Sequence, residues 1–214
     1  MKYKALICDL DGTLLNTLED LMDSVNYGLR NHNLREITIE QTRRYVGNGV
    51  AKLVERAAPE GTTHEEQAEI LADFRSYYDK HSQDKTKAYD GVIDMLKRAK
   101  NAGMKLAIVS NKIDEAVGEL ADYYFTGLID VAIGETPDVP KKPAPDMLYK
   151  ALDMLGISLK EAVFIGDSDV DVATGLNSGM DMVTVLWGFR DREELLEAGA
   201  KCFIEKPEEL FRYI

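Results

Sequence analysis

Short apolar runs that alternate with segments of helical spacing are the feature that most constrains the fold of this chain. Candidate strands cover residues 3–8, 105–109, 131–133, 162–165 and 182–186, and candidate helices cover 91–100, 145–155 and 170–177. Strands that are joined through helices pair in parallel, and the helices then pack on the faces of the sheet. We therefore predict an α/β fold built on a parallel sheet.

Residues 16–86 interrupt this alternation. The chain has 214 residues, enough for one large domain or for a core with a small insert. Thr17 and Asp20 have the spacing of a capping box, and three groups of apolar residues with helical spacing follow them. We find no convincing strand in this stretch. The prediction is a discontinuous α/β core domain at 1–15 and 87–214, with a small all-α domain at 16–86.

The charge balance argues against two classes of partner. The chain has 26 Lys and Arg residues against 38 Asp and Glu, a formal net charge of −12. This balance argues against nucleic acid or an anionic membrane surface as a partner, because both attract a basic face. It also repels an anionic substrate, so a site for one needs its own local cations.

The location of the protein follows from what its segments lack. No apolar run is long enough for a transmembrane helix, and the first residues lack the apolar region of a signal peptide. Cys8 and Cys202 have neither zinc nor redox spacing. We expect a cytoplasmic protein with reduced thiols.

Polar side chains follow the predicted strands at the points where the strands end. Asp9 and Asp11 come directly after the first strand. Other residues of this kind are Ser110 and Asn111 after the second strand, Asp167 and Asp171 after the fourth, and Lys142 ahead of the helix that leads to the fourth. Alone, Asp9 and Asp11 could form a solvated acidic turn. Because ligands of open parallel sheets bind at the carboxyl ends of strands, we expect these residues to form one site.

The chemistry of such a site follows from its charges. Two carboxylates about 4 Å apart repel each other by about 4 kcal/mol at an effective dielectric of about 20. Asp9, Asp11 and Asp167 gathered together therefore call for a divalent cation, and all-oxygen ligation suits Mg²⁺. Lys142 supplies a second positive charge and meets the need for local cations.

The same residues carry a resemblance to a known family. Residues 9–13 read Asp-Leu-Asp-Gly-Thr, 110–111 Ser-Asn, 142–143 Lys-Pro, and 166–171 Gly-Asp-Ser-Asp-Val-Asp. In this order they resemble the four motifs of the haloacid dehalogenase superfamily of phosphatases, and the resemblance covers the whole chain. It implies a Rossmann-like parallel sheet of strand order 3-2-1-4-5 with helices on both faces. It also implies a small helical cap inserted after the first motif.

The resemblance also implies roles for individual residues. Asp9 is the nucleophile, and Asp11 is the acid that protonates the leaving alkoxide and then the base that activates water. The implied phosphate-binding residues are Ser110, Asn111 and Lys142. The implied Mg²⁺ ligands are Asp9, Asp11 through its carbonyl, and Asp167. The implied supporting residues are Gly12, Thr13 and Asp171, the last of which supports either the metal ligands or Lys142.

Substrate choice is expected to lie in the insert. Residues 43–49, Arg-Arg-Tyr-Val-Gly-Asn-Gly, resemble the cap segment of phosphoglycolate phosphatases, and residues 186–190, Leu-Trp-Gly-Phe-Arg, resemble the same subgroup. Arg43 or Arg44 could bind a substrate carboxylate with its guanidinium. Either arginine, taken singly, fits a solvated basic helix face as well as it fits a carboxylate-binding site. The 186–190 segment either borders the site or packs the exit from the fifth strand.

We therefore expect a Mg²⁺-dependent phosphomonoester hydrolase that forms an aspartyl-phosphate. Its expected substrate is a small-molecule phosphate ester with an acidic group, such as phosphoglycolate, and its expected state is a monomer or homodimer. The alternatives within the superfamily are a pyrophosphatase, a nucleotidase, a sugar phosphatase and a β-phosphoglucomutase, the last disfavoured by Thr13. A non-catalytic phospho-acceptor domain is disfavoured by the long insert, and a binding protein without activity by the intact set of acids and Lys142.

Overall fold

The computed structural model describes residues 2–214, which form two compact units. The first, called the core unit here, runs to Leu15 and resumes at Ala88–Ile214. The second, called the insert unit, is Asn16–Lys87. Met1, with which the predicted core domain begins, lies outside the described residues.

A six-stranded parallel sheet organises the core unit. The strands of the described chain are β1 Ala5–Cys8, β2 Leu15–Asn16, β3 Lys87–Ala88, β4 Lys105–Ile113, β5 Val131–Glu135, β6 Ala162–Gly166, β7 Asp181–Val185 and β8 Phe203–Ile204. The sheet has the order β5-β4-β1-β6-β7-β8, and these neighbours pair in parallel. For the five predicted strands this confirms the order 3-2-1-4-5, and β8 extends the sheet at one edge. The short strands β2 and β3 pair where the chain leaves and re-enters the core unit.

The insert unit is helical between its two ends, as predicted. Its helices are α1 Leu18–Asn31, α2 Ile39–Tyr45, α3 Val50–Ala57 and α4 His64–His81. Helix α1 buries Leu21, Val25 and Leu29 at helical spacing. A Cβ added at Gly28 would lie 2.8 Å from the Ile70 carbonyl oxygen, so a glycine is required where α1 passes α4.

The predicted capping box at the start of α1 is wrong. The Thr17 side chain makes no capping hydrogen bond to the helix. The buried Asp20 carboxylate instead accepts hydrogen bonds from the backbone N–H groups of Lys85, at 3.1 Å, and Thr86, at 2.8 Å. The Thr86 hydroxyl donates a further bond to it at 2.7 Å. The returning chain offers Asp20 more donors than a local cap would, so Asp20 joins the two ends of the insert unit.

Helices cover both faces of the core sheet. They are α5 Val92–Asn101, α6 Asp114–Tyr124, α7 Asp146–Leu155, α8 Asp169–Ser178 and α9 Arg192–Glu197. Alternate residues of β1 face opposite ways: Leu6 packs in a cluster with α5 and α6, and Ile7 packs in a cluster with α7. The expected arrangement of helices on two faces of a parallel sheet is confirmed. Among residues 2–214, no helix combines the length and apolar character that a membrane span requires.

Candidate active site

The polar residues predicted from the strand ends lie at one edge of the core sheet. Strand β1 pairs with β4 on one side and with β6 on the other, with Cys8 opposite Ile108 and Ile165. Asp9 therefore follows β1 at the level where β4 continues into Ser110 and β6 reaches Asp167. All three of these side chains are buried. Parallel pairing thus brings together residues that are 57 to 158 positions apart in the chain.

Three carboxylates form the centre of the site. Asp9, Asp167 and Asp171 each offer an oxygen, and these oxygens lie within 4.8 Å of one another. Burial, together with the nearby charge of Asp171, raises the pKa of Asp9 well above its usual range. The same two causes raise the pKa of Asp167 to about 7. Ionising this cluster is therefore costly unless cations are close.

Lys142 is one such cation. Its Nζ lies 2.7 Å from Asp9 Oδ1 and 2.7 Å from Asp171 Oδ1, and its side chain is 2% exposed. Burial by itself lowers the pKa of Lys142, but the carboxylates of Asp171 and Asp9 raise it, and the net shift is upward. Lys142 therefore stays protonated at neutral pH and meets the need for a local cation in an acidic chain.

Asp171 and Asn111 hold Lys142 and the helix that follows the site. The second Asp171 oxygen accepts hydrogen bonds from the Ser168 hydroxyl at 2.6 Å and from the Ser168 backbone N–H at 3.1 Å. The bond from the Ser168 N–H, with one that the Asp171 N–H donates to the Ser168 hydroxyl oxygen at 3.2 Å, forms a capping box at the start of α8. The Asn111 side-chain amide donates to the Lys142 carbonyl oxygen at 2.9 Å. Two roles were considered for Asp171, and its contact with Lys142 supports the role of holding that lysine.

Asp167 is held by residues from two loops. The Thr13 hydroxyl donates to Oδ1 at 2.8 Å, and the Phe189 backbone N–H donates to Oδ2 at 2.8 Å. Gly12, with φ of +87°, lies against the same carboxylate, and a Cβ there would fall 2.3 Å from Oδ2. A Cβ at Gly188 would fall 2.3 Å from the Asp167 Cβ. Both positions therefore require glycine for the backbone to reach this acid.

The 186–190 segment borders the site. Phe189 and Gly188 contact Asp167 as described, and the Trp187 indole N–H donates to the Thr13 carbonyl oxygen at 3.0 Å. Arg190 Nε lies 3.2 Å from an oxygen of Asp169 at the start of α8. Of the two predicted roles for this segment, bordering the site is the one that these contacts support. These contacts connect the loop after β7 with the loops after β1 and β6.

Lys112 is a residue of the site that sequence reasoning missed. Its Nζ lies 3.0 Å from each oxygen of the Asp11 carboxylate. The Asp11 carboxylate is thus paired with Lys112, and it is not one of the three that form the central cluster. A lysine that directly follows Ser110 and Asn111 at the end of an apolar strand was the available signal.

Arg43 and Arg44 belong to the insert unit. Both lie in the last turn of α2, where Arg44 is exposed and Arg43 is half-buried. The segment that follows is held by Arg56, whose guanidinium donates to the Tyr45 carbonyl oxygen at 2.7 Å and to Asn48 Oδ1 at 2.8 Å. The basic pair therefore precedes a short segment of defined conformation.

The central cluster has the donors that a hard divalent cation prefers. Its ligand atoms are carboxylate oxygens, they lie close together, and all three side chains are buried. Lys142 balances one of the three negative charges. A divalent cation would balance the remaining two, so the residues present fit Mg²⁺.

Comparisons with known proteins find a family and individual proteins to which this chain is similar. The family model described as "Haloacid dehalogenase-like hydrolase" matches residues 6–185. A phosphoglycolate phosphatase of Psychrobacter arcticus is 34% identical over 208 residues, which cover 91% of this chain and 88% of the relative. A protein of Caldanaerobacter subterraneus, named as a candidate pyrophosphatase PpaX, is 30% identical and covers 100% of this chain and 96% of its own.

A solved structure is similar over the same extent. The crystal structure of a candidate phosphoglycolate phosphatase from Lactobacillus delbrueckii matches with a TM-score of 0.93 and 37% sequence identity. The match covers 98% of this chain and 97% of that one. Both units therefore have counterparts in a protein of similar length.

Proposed function

This chain belongs to the haloacid dehalogenase-like hydrolase family, and on that premise we propose that it is a Mg²⁺-dependent phosphatase that hydrolyses phosphomonoesters through an aspartyl-phosphate. The observation that carries the proposal is the buried Asp9 carboxylate, paired with Lys142 and adjacent to Asp167 at the end of the central strand. A carboxylate in this position can attack phosphorus, and the adjacent Lys142 can bind the phosphate oxygens.

The reaction would proceed in two steps. A carboxylate oxygen of Asp9 attacks phosphorus, the bond from phosphorus to the ester oxygen breaks, and Asp11 gives its proton to that oxygen. Asp11 then takes a proton from water, and the water oxygen attacks the phosphorus of the aspartyl-phosphate. The bond from phosphorus to Asp9 breaks, which releases inorganic phosphate and the Asp9 carboxylate. Ser110, Asn111 and Lys142 would hold the phosphoryl oxygens.

The proposed Mg²⁺ ligands are the carboxylates of Asp9 and Asp167 and the carbonyl oxygen of Asp11. When bound, the ion would offset charge on Asp9 and on the phosphoryl oxygens. The supporting residues hold these ligands: Thr13 and the close approach of Gly12 fix the Asp167 carboxylate, and Asp171 fixes Lys142.

We propose further that the insert unit is the cap domain and that it selects the substrate. Arg43 or Arg44 would recognise a carboxylate, which makes a small acidic phosphate such as phosphoglycolate the favoured substrate class. The name of the Psychrobacter arcticus relative supports this choice. The free cysteines Cys8 and Cys202 support a cytoplasmic location, in which the enzyme would act on small-molecule phosphate esters as a monomer or homodimer.

A pyrophosphatase is the second candidate, favoured by the name of the Caldanaerobacter subterraneus relative. Pyrophosphate has no carboxylate, so it would use the core residues in the same way and Arg43 and Arg44 differently. A comparison of kcat/KM for phosphoglycolate, pyrophosphate, nucleotides and hexose phosphates separates these candidates.

Magnesium is expected to be required for activity and to stabilise the protein in a pH-dependent way. Hydrolysis of p-nitrophenyl phosphate should be lost in excess chelator and restored by Mg²⁺. Because burial and Asp171 raise the pKa of Asp167 to about 7, protons compete with the metal below that pH. At about 100 times its Kd, Mg²⁺ should add about 2.7 kcal/mol to the free energy of unfolding near pH 8, and less near pH 6.

Asp167→Asn should remove this stabilisation, whereas Asp153→Asn, at an exposed position of α7, should keep it. Thermal unfolding with and without Mg²⁺ at the two pH values measures the effect. Full activity in excess chelator would show that the metal assignment is wrong.

Replacing the cap arginines is expected to affect carboxylated substrates selectively. Arg43→Ala or Arg44→Ala should raise KM for phosphoglycolate by about 10-fold or more, the cost of one charge-assisted contact. KM for p-nitrophenyl phosphate, which lacks a carboxylate, should change much less. Steady-state kinetics with the two substrates measure the difference.

Arg35→Ala provides the matched control, because Arg35 is an exposed arginine of the same unit. It should leave both KM values near those of the parent protein. An equal rise of KM for both substrates in the Arg43 and Arg44 variants would remove the argument for carboxylate recognition.

A further inference from the structure

The ion pair between Lys112 and Asp11 is placed unlike an ordinary surface salt bridge. The Lys112 side chain is 3% exposed and the Asp11 side chain is 21% exposed. Both oxygens of Asp11 lie 3.0 Å from Nζ, so the ammonium group contacts the carboxylate symmetrically. Contact with both oxygens restricts the rotation of the carboxylate, and a single contact would not.

The backbone around Lys112 is irregular in a way that serves this contact. Strand β4 extends to Ile113, and its register against β5 shifts between Val109 and Ile113. Ser110, Asn111 and Lys112 are all buried in this stretch. Such irregularities change the direction of side chains and occur next to active sites. Here the irregular stretch contains the lysine that reaches Asp11.

Stability alone explains this pair poorly. Burying a lysine costs several kcal/mol, and replacing a buried ion pair by apolar side chains is often neutral or stabilising. The partner, moreover, is the residue to which the proposed reaction assigns proton transfer. A buried ion pair is weak evidence for stability, and this one holds the carboxylate that the reaction uses, so it points to a role in the reaction.

From this geometry we propose that Lys112 is a positioning residue, which holds the Asp11 carboxylate in the orientation that proton transfer requires. The inference rests on the proposed function, because it takes Asp11 to be the group that activates water. In that step Asp11 accepts a proton from water, the water oxygen bonds to phosphorus, and the bond from phosphorus to Asp9 breaks. A misdirected Asp11 slows this step, since misplacement by about 1 Å can cost about 100-fold.

An aryl phosphate separates this step from the one before it. The leaving group of p-nitrophenyl phosphate departs without help from an acid, so formation of the aspartyl-phosphate depends little on Asp11. Lys112→Met should therefore slow hydrolysis of the aspartyl-phosphate by about 100-fold and its formation by far less. Rapid mixing should show a burst of p-nitrophenol approaching one per enzyme, followed by a slow steady rate. Phosphate-labelled enzyme should accumulate.

Two further variants link the effect to Asp11. Lys112→Arg, which keeps a cation at this position, should recover part of the hydrolysis rate. Asp11→Asn should itself accumulate labelled enzyme, and adding Lys112→Met to it should slow hydrolysis by less than about 3-fold more. The Asp11 side chain is partly exposed and can turn toward water, so Lys112→Met is expected to fold. Circular dichroism and the size of the burst report the folded fraction directly.

The outcomes distinguish this inference from the proposed function. If Lys112→Met lowers the formation and hydrolysis rates in equal proportion, Lys112 has a merely structural role and the inference is overturned. The inference is also overturned if Lys112→Met slows hydrolysis of the aspartyl-phosphate by about 100-fold more when it is added to the Asp11→Asn protein. If Asp11→Asn and the parent protein both fail to form labelled enzyme, the aspartyl-phosphate mechanism itself is wrong.

Discussion

Asp9→Asn is expected to lower kcat by at least about 10⁴-fold, the scale on which enzymes lose turnover when their nucleophile is removed. Asparagine has nearly the shape of aspartate but no carboxylate to form the aspartyl-phosphate. The substitution should not unfold the protein. Burial and Asp171 already raise the pKa of Asp9 well above its usual range, so the ionised side chain is costly and a neutral one relieves the repulsion. The turnover of p-nitrophenyl phosphate with saturating Mg²⁺ measures the loss.

Asp9→Asn also tests the sign of the effect that the Asp9 charge has on the stability of the folded protein. A carboxyl group whose pKa is raised by folding disfavours the folded state as the pH rises through the interval between its unfolded and folded pKa values. Asp9→Asn removes this penalty, so the variant should be at least as stable as the parent protein near pH 8. Asp153→Asn, at an exposed position, controls for the loss of a carboxylate. Near-normal turnover by Asp9→Asn would mean that the nucleophile lies elsewhere.

Parallel topology explains why so much of the site could be predicted from sequence. The sequence shows an apolar strand followed by acidic residues at Asp9 and again at Asp167. In a parallel sheet the carboxyl ends of neighbouring strands must meet at one edge. Strands β4, β1 and β6 are neighbours, so Ser110, Asp9 and Asp167 lie together. The prediction needed only the order of the strands and no side-chain geometry.

The order of the strands does not predict which side chains of distant segments are in contact. Lys112 and Asp11 are 101 positions apart, and their contact depends on an irregular register in β4 that no sequence pattern reveals. Asp20 has a local capping pattern, yet it binds the chain 65 and 66 positions later. Local patterns indicate what a residue can bind, and tertiary structure decides which of the available donors it meets.

Some elements were missed for local reasons. Helix α6 has buried residues at helical spacing, Val117, Leu120 and Ala121, but it begins without a capping side chain. Strand β8 has two residues and helix α9 has six, lengths at which periodicity carries little information. The absence of β8 from the prediction left the sheet one strand short at its edge, away from the site.

Lys142→Met is expected to lower both activity and stability, and the second effect tests the electrostatic account of the site. Lys142 Nζ contacts carboxylates of Asp9 and Asp171, whose side chains are 10% and 0% exposed. Removing one partner of a buried ion pair leaves an uncompensated charge, which costs about 3–5 kcal/mol. Denaturant unfolding near pH 8 without Mg²⁺ should show a loss of that size. The turnover of p-nitrophenyl phosphate should fall by about 100-fold or more, as for other groups that stabilise transition-state charge.

The matched control is Lys141→Met. Lys141 pairs with Glu135 at 3.0 Å, but its side chain is 39% exposed, so solvent screens the pair and the expected loss is at most about 1 kcal/mol. The two variants remove the same group from adjacent residues. They therefore separate the effect of burial from the effect of charge.

The pH dependence gives the sign of the effect. The Asp171 and Asp9 carboxylates raise the pKa of Lys142 against the opposing effect of burial, so Lys142 is fully protonated at every pH below its unfolded pKa of about 10.4. In Lys142→Met the unpaired Asp9 carboxylate, whose pKa burial already raises, can recover neutrality only by binding a proton. The difference in stability between the variant and the parent protein should therefore be smaller near pH 5 than near pH 8. A loss as small as that of Lys141→Met, or one that does not change with pH, would mean that Lys142 does not balance the buried acids.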